Sequence, residues 1–483
     1  MRRFALPAAA LVAALVACAG ATEVSRAAAQ SRTQHFVTRP DLRPPPIHIV
    51  KREQGTAPGY IFIAPKKKID QAGPLILNDH GNVVWFHPLD THGVTDFRVQ
   101  RYRGRPVLTW WRGETAKGIG NGRYVIADDR YGVIANVTAG NGLSGDIHEF
   151  LITNRNTALF TVYHQVEADL SALGGPTNGK IEEGVVQEVT IPGGKVLFEW
   201  HSAPHIAVDE TYESVPKDES ESFDYFHINA IEPVGKDKLL VSARHTHAIY
   251  EIRRRDGAVL WRLGGKKSDF RLGPGASFSW QHDPRRHPDG TLSLFDNGAS
   301  RPAKRLNSRV LVLRLDNRRH TAKLVRSYAH RPTPLLSTSQ GNAQVLPDGH
   351  VFVGWGSNDY FTEFARNGRI LLDGRFGSGE SDSYRAYRFP WVGHPAERPA
   401  VAARFAGERT TVYASWNGAT EIRRWRVLAG GSPAPLSTAK EVAKDGFETR
   451  ISLPTRARYV AVKALDERGR VLRASRPVRP TSR

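Results

Sequence analysis

The chain has 483 residues, a formal charge of +20 at pH 7 and one cysteine. Its length suits one large body with a small appendage, and beyond Cys18 nothing can form an internal disulfide, act as a thiolate nucleophile or ligate a metal through sulfur. The basic surplus fits an anionic substrate or surroundings, but it is scattered along the chain rather than clustered with stacking aromatics, which argues against nucleic acid as a partner.

Residues 1–30 read as an export signal: Arg2 and Arg3 precede an apolar run from Ala5 to Ala17, and small residues follow. Cys18 closes Leu15-Val16-Ala17-Cys18, a spacing suited to a lipid anchor after cleavage. An ordinary signal cleaved near Ala27-Ala28-Ala29 is the alternative, and the two readings are evenly balanced. No later apolar stretch reaches the ~20 residues of a membrane span, so the expected location is secreted or associated with the cell envelope. Residues 31–57, with Pro44-Pro45-Pro46 and little apolar periodicity, read as a linker.

From residue 58 the pattern becomes all-β: short β-branched and aromatic runs alternate with Gly, Asn and Asp turns. A hairpin signature recurs at Gly81-Asn82-Val83, Gly132-Val133-Ile134, Gly194-Lys195-Val196, Gly257-Ala258-Val259 and Gly368-Arg369-Ile370. The last interval is about twice the others and contains a degenerate copy, Thr321-Ala322-Lys323, which makes six. A second series interleaves with it: Asp96-Phe97-Arg98, His148-Glu149-Phe150, His227-Ile228-Asn229, His282-Asp283-Pro284 and Asn342-Ala343-Gln344. Each copy is followed by a turn and an apolar strand. Two features sharing one period of roughly 50–60 residues predict a six-bladed β-propeller over residues 58–390, since the coils of a parallel β-helix are much shorter. Beyond the Pro390 to Pro399 stretch, alternating strands over residues 396–483 predict a small β-sandwich of fibronectin type III kind. It holds no cluster of His, Asp or Glu, and support or docking is its expected role.

In a propeller, residues that open the innermost strands converge near the axis, which nominates His148, His227 and His282. A single such histidine is more often a turn-satisfying group, but three in register favour a site in which imidazole serves as nucleophile, proton carrier or metal ligand. In the same repeat as His227, Arg244 offers a planar fork for an oxyanion, with Asn229 beside it. His245 and His247, two apart, are also a candidate metal pair, with a polar strand end as the more ordinary reading. Trp110, Trp111, Trp280 and Trp355 are candidates to stack on an aromatic ligand, although packing is the commoner fate of such indoles.

The segments Phe226-His227-Ile228-Asn229-Ala230-Ile231, Ser242-Ala243-Arg244-His245, Leu260-Trp261-Arg262-Leu263-Gly264-Gly265 and Trp280-Gln281-His282 resemble the PAPS-independent arylsulfotransferase family, and the likeness extends over most of residues 58–375. The resemblance implies an exported six-bladed propeller that transfers a sulfuryl group from an aryl sulfate to a phenol through a sulfated histidine. By motif, His282 matches the histidine that takes the sulfuryl group, and His227, Asn229 and Arg244 match residues that bind its oxygens. His148 matches a further substrate-binding histidine by register alone. No cofactor and no resident metal are implied, and the partners are small aryl sulfates and phenols. Asp283 departs from the pattern as a carboxylate beside His282, placed to orient it or to form a structural pair. Two other readings stay open: a non-catalytic propeller that binds an anionic envelope ligand, and a metal-assisted hydrolase or lyase built on the histidines.

Overall fold

Short β-branched and aromatic runs separated by glycine turns give strands and little else. In the computed structural model, which describes residues 33–482, the helical segments among the described residues are two short 3-10 turns, Ser171–Leu173 and Val208–Glu210, and the all-β class holds. The signal reading of residues 1–30, with Cys18, lies outside the described residues. Among the described residues, no helix is long and apolar enough to cross a membrane.

Six sheets follow one another from Tyr60 to Phe389, antiparallel apart from the two-residue strands Ser222–Phe223 and Arg271–Leu272, which add in parallel to the third and fifth. The second runs Val94–Tyr102, Arg105–Ala116, Ile119–Ala127, Val133–Val137, and the third Phe150–Ile152, Thr157–Ala168, Gly179–Thr190, Val196–His201. The fourth runs Ile228–Val234, Lys238–Ala243, Ala248–Arg253, Val259–Gly264, and the fifth His282–Arg286, Thr291–Asp296, Arg309–Asp316, Thr321–Tyr328. The sixth comprises Asn342–Val345, Val351–Gly354, Tyr360–Phe364 and Ile370–Phe376. All are meanders, and every copy of the hairpin signature opens the last meander strand of a sheet, the degenerate copy at Thr321 included. At Gly257 the turn needs a positive φ of 71°, and a Cβ there would meet the His205 ring at 2.8 Å.

The first sheet is assembled from both ends of the array. Tyr60–Ile63, Leu75–Leu77 and Val83–Phe86 are joined by Ala386–Phe389, which pairs antiparallel with Tyr60–Ile63. Two side chains of the sixth sheet hold this returning strand. Asn342 donates to the Ala386 carbonyl (2.8 Å) and accepts from its N–H (2.9 Å), and Gln344 does the same with Arg388 at 2.9 and 2.7 Å. The second and third, fourth and fifth, and fifth and sixth sheets touch through their leading strands, the leading strand of the fourth meets the third at Thr157–Ala168, and Ala386–Phe389 touches both Asn342–Val345 and Val94–Tyr102.

Apolar residues come in runs because each sheet is covered on both faces. In Lys238–Ala243, Leu239 and Val241 enter one core with Phe226 and Tyr250, while Leu240 enters another with Leu294 and Leu311. Each fully buried side chain of this size contributes about 1.5–3 kcal/mol.

Part of the stretch read as a linker forms a strand. Ile47–Arg52 pairs with Ile370–Phe376 as the outer strand of the sixth sheet. The polyproline run ends at Pro46, and Ile47 and Ile49 then alternate onto the core around Phe361 and Phe376. Past Pro399, a three-stranded sheet (Ala400–Ala406, Arg409–Ser415, Glu448–Leu453) and a four-stranded one (Ser437–Ala443, Arg424–Gly430, Tyr459–Leu465, Val471–Ala474) enclose Val412, Trp425, Ile451 and Val462. This part meets the first two sheets through Asn417, which exchanges hydrogen bonds with the Phe86 backbone (3.0 and 2.9 Å), and through the Tyr131 hydroxyl, which donates to the Gly418 carbonyl (2.7 Å).

Candidate functional site

His148 and His227 stand just ahead of the leading strands of the third and fourth sheets, and His282 opens that of the fifth. The three converge on a cavity of about 350 Å³ whose lining also includes Arg244, His245 and Tyr384. Ring centroids lie 5.0 Å apart for His148 and His227, 4.6 Å for His227 and His245, and 5.5 Å for His148 and Tyr384. A larger hollow of about 610 Å³ between Asp90, Arg112, Arg123 and Ser144 contains no histidine.

The imidazoles differ in what holds them. His282 Nδ1 lies 2.8 Å from Asn297 Oδ1 and 2.9 Å from the Trp280 carbonyl, both acceptors. The Asn297 amide is fixed in that orientation because its Nδ2 donates to the Ser337 and Gln340 carbonyls, each at 3.0 Å. Nδ1 of His282 therefore carries the proton and Nε2 the lone pair, with only the Gln340 N–H near Nε2, at 3.3 Å. His148 and His227 instead form carboxylate pairs: His148 Nδ1 is 2.5 Å from Asp146 Oδ2, and His227 Nδ1 is 2.5 Å from Asp224 Oδ2. Burial pushes the His282 imidazolium well below its ordinary range, and nearby Arg244 and His148 add to this against the opposing Asn297 contact. Burial likewise lowers His227, helped by His148 and Arg244.

A neutral His282 keeps its nucleophilic nitrogen in mild acid. The rate at which it takes up an electrophile is expected to stay flat from about pH 8 to about pH 6, where a free imidazole of pKa ~6.5 would already be losing its lone pair. Stopped-flow rates across that range check this, and a half-maximum near the free value would contradict it.

The Arg244 guanidinium stacks 3.6 Å above Trp280 and touches His245 Nε2 (2.5 Å) and the Thr338 carbonyl (3.2 Å). Burial lowers it to about 10, so it is cationic at neutral pH. Lys66, Lys67 and Lys117 add positive charge to the lining, with Asp382 paired to the first two. Trp280 thus serves Arg244, while Trp110, Trp111 and Trp355 are buried in the sheets. His245 and His247 are not a pair: the strand ends at Ala243, His245 turns to the cavity, and His247 stacks on Tyr212 at 4.2 Å.

Two expectations about orientation are corrected. Asn229 does not line the cavity; it is fully buried and donates to the Gln281 carbonyl at 2.7 Å, bracing the backbone next to His282. Asp283 does not orient His282. Its Oδ1 accepts from Arg285 (2.9 and 2.6 Å) and its Oδ2 from the Ala343 N–H (3.1 Å). Both residues sit at a register shift in their strand, between Ile228 and Ala230 and between His282 and Arg285, and the extra residue turns these side chains away from the cavity.

Tyr384 was not singled out by the repeats. It is 1 % exposed and lines the cavity, and its hydroxyl is buried without a hydrogen-bond partner. It precedes the returning strand Ala386–Phe389, which supplies the leading strand of the first sheet, so the sixth register position comes from the far end of the array. Asp146 and Asp224 were also missed, although each lies two or three residues before its histidine in sequence.

Among solved structures, the chain is similar to a protein of unknown function from Bacteroides caccae (13 % identity, 68 % of this chain and 98 % of that one, TM-score 0.40). It is also similar to a periplasmic gluconolactonase from Pseudomonas aeruginosa (11 %, 87 % and 96 %, TM-score 0.37). A third is a catalytically inactive virginiamycin B lyase from Staphylococcus aureus with quinupristin (12 %, 77 % and 96 %, TM-score 0.34). Likenesses this loose carry no statement about chemistry. No curated protein sequence matches the chain. The model of the family described as arylsulfotransferase (ASST) matches residues 98–377, a span of more than half the chain that holds His148, His227, Arg244 and His282, and the chain belongs to that family.

Proposed function

We propose that this protein is an exported aryl sulfotransferase that moves a sulfuryl group from an aryl sulfate to a phenol, without a nucleotide donor, through a sulfohistidine at His282. The observation that carries this reading is the lone pair of His282 Nε2, set by neutral acceptors on Nδ1 rather than by a carboxylate, on a cavity whose walls also hold two Asp–His pairs and cations. The six sheets, the contacts between their leading strands and the return of Ala386–Phe389 support a six-bladed propeller over residues 58–390, and the two sheets beyond it support a fibronectin type III-like sandwich over residues 396–483. An N-terminal export signal would place the enzyme outside the cytoplasm, secreted or held at the envelope.

In the first half-reaction His282 Nε2 attacks sulfur. The N–S bond forms as the S–O(aryl) bond breaks, and the phenolate leaves with that electron pair. Arg244 and the Tyr384 hydroxyl are placed to bind the equatorial oxygens, as fixed donors do in phosphoryl transfer. The Asp146–His148 pair can carry a proton toward the leaving oxygen. In the second half-reaction the acceptor phenol attacks sulfur, the N–S pair returns to His282, and neutral His227, oriented by Asp224, takes the phenolic proton and passes it back to His148, whose ring centroid is 5.0 Å away, which restores the starting state. A metal on Asp224, His227 and His245, whose donor atoms lie within 4.8 Å of one another, would sit beside the Arg244 cation, which opposes it.

The direct test is turnover of a chromogenic aryl sulfate with and without a second phenol. Faster colour release with the phenol and formation of its sulfate ester are expected. Release of inorganic sulfate alone would make the enzyme a sulfatase, and no turnover would favour a binding role. Within the same assay, Tyr384→Phe is expected to lower kcat about 10–100-fold with little change in the unfolding midpoint, because a hydrogen bond to a charged group is worth about 1.5–3 kcal/mol.

A further inference from the structure

A second histidine cluster lies on the third sheet, and none of its members lines the cavity of His282. His164, Glu183 and His201 come from three adjacent strands. His164 is directly opposite Glu183, and His201 is opposite Val185, two residues further along, so all three side chains stand on one face. Glu183 Oε1 is 3.0 Å from His164 Nδ1 and 2.7 Å from His201 Nδ1. One donor atom from each residue falls within 4.8 Å of the other two.

We propose that His164 Nδ1, His201 Nδ1 and the Glu183 carboxylate form a site for a divalent transition-metal ion of the zinc class, separate from the sulfuryl-transfer cavity. The donor chemistry comes first: two imidazoles and one carboxylate are a borderline nitrogen and oxygen set that suits Zn²⁺ and leaves a fourth position for water. Among the described residues, the ion-pair partners of Glu183 are these two histidines, so no lysine or arginine competes for it.

An independent observation lies behind the ligands. The remote nitrogen of His201, Nε2, is 3.0 Å from Glu199 Oε1, and Glu199 is held by Gln187 Nε2 (2.6 Å) and Asn141 Nδ2 (2.9 Å). A carboxylate on the far nitrogen is the arrangement that fixes the tautomer and ring orientation of a metal-bound histidine and raises its basicity. Hydrogen bonds to Glu183 and Glu199 raise His201 to about 9, so a bound ion would displace the proton from Nδ1, the atom that faces Glu183, while Nε2 keeps the proton donated to Glu199.

The geometry needs little adjustment. Ligand bonds of about 2.0–2.2 Å in a tetrahedron place donors about 3.3–3.6 Å apart. The Glu183 carboxylate is anchored at 5 % exposure and His201 is held from behind by Glu199, so the adjustment falls mainly to His164, which is 41 % exposed. A bound ion would tie Thr157–Ala168, Gly179–Thr190 and Val196–His201 together by their side chains.

The experiment is calorimetric titration of chelator-treated full-length protein with Zn²⁺ alone. The expected result is one site per chain with a Kd of about 1 μM or tighter. His164→Ala and His201→Ala are each expected to weaken it at least about tenfold, and Glu199→Gln to weaken it about 10–100-fold. His227→Ala, in the cavity, should leave it unchanged. Urea unfolding supplies a second readout: Zn²⁺ should raise the midpoint of the native protein and not that of His201→Ala. Absence of binding, or binding insensitive to His164 and His201, or binding lost in His227→Ala, would overturn the proposal. None of these outcomes bears on sulfuryl transfer, which is read separately.

Discussion

His282→Asn is expected to abolish aryl sulfate turnover, by at least about a thousandfold, while leaving the unfolding midpoint within about 1 kcal/mol of the native value. The size follows from the division of labour in the cavity. Arg244, Tyr384 and the two Asp–His pairs can bind and polarise a sulfate ester, but the carboxylates on His148 Nδ1 and His227 Nδ1, at 2.5 Å, suit those imidazoles to proton transfer, whereas His282 is oriented by neutral acceptors. Without His282 the sulfuryl group would have to pass directly between two phenols, which a cavity of about 350 Å³ would have to hold together. Asn is the informative replacement because its amide fits the space against Asn297 and carries no nucleophilic lone pair on nitrogen. The complementary measurement is rapid-quench mass spectrometry with donor alone. The native protein should gain one sulfuryl group on the peptide containing His282, and the variant none. Turnover by the native protein without that adduct would reject the covalent route and leave direct transfer in its place.

The repeat register in the sequence locates the site but does not say which way side chains face. Of the five copies in the second series, His148, His227 and His282 reach the cavity, whereas Asp96 joins a buried ion-pair network and Asn342 clamps the returning strand. The hairpin signature was more faithful, because a turn glycine reports a local backbone need that tertiary context does not reverse. Asn229 and Asp283 were misread for one reason. A single extra residue in a strand rotates the following side chain to the other face, and no composition or spacing announces it. Tyr384 was hidden differently: the histidines of the site are all more than 100 residues away in the chain, His282 the nearest of them, and only closure of the first sheet by Ala386–Phe389 brings it to them. Ile47–Arg52 shows the converse case, since six residues give too short a run of alternation to outweigh the prolines before them.

Asp96 and Asp283, which do not line the cavity, join a buried network of charges, and Arg385 is the member whose loss is expected to cost most. Its side chain is fully buried. It contacts Glu149 through both terminal nitrogens (3.0 Å each), Asp96 (3.1 Å) and the Asn229 carbonyl (3.3 Å), and lies 3.7 Å from Asp283. Arg98 and Arg285 complete the network on Glu149. Removing one charge from such a set strands the others in a medium that solvates them poorly, so Arg385→Met is expected to lower stability by about 3–5 kcal/mol even though Met fills much of the volume. Burial alone would raise the Glu149 carboxyl, but Arg285, Arg385 and Arg98 together outweigh it and hold the group far below the carboxylate range. A folded-state pKa depressed in this way contributes stability that is present above the unfolded value of about 4.5 and is lost as pH falls toward the folded value. With Arg385 gone the depression shrinks, so acid unfolding of the variant should begin at a higher pH than that of the native protein. Urea unfolding at neutral pH and an acid titration followed by tryptophan fluorescence measure the two effects separately. A loss below about 1 kcal/mol with an unchanged acid midpoint would mean that the network is dispensable. A large loss on both counts would mean that these charges, which include Asp283 next to His282, hold the leading strands in the positions from which its imidazole reaches the cavity.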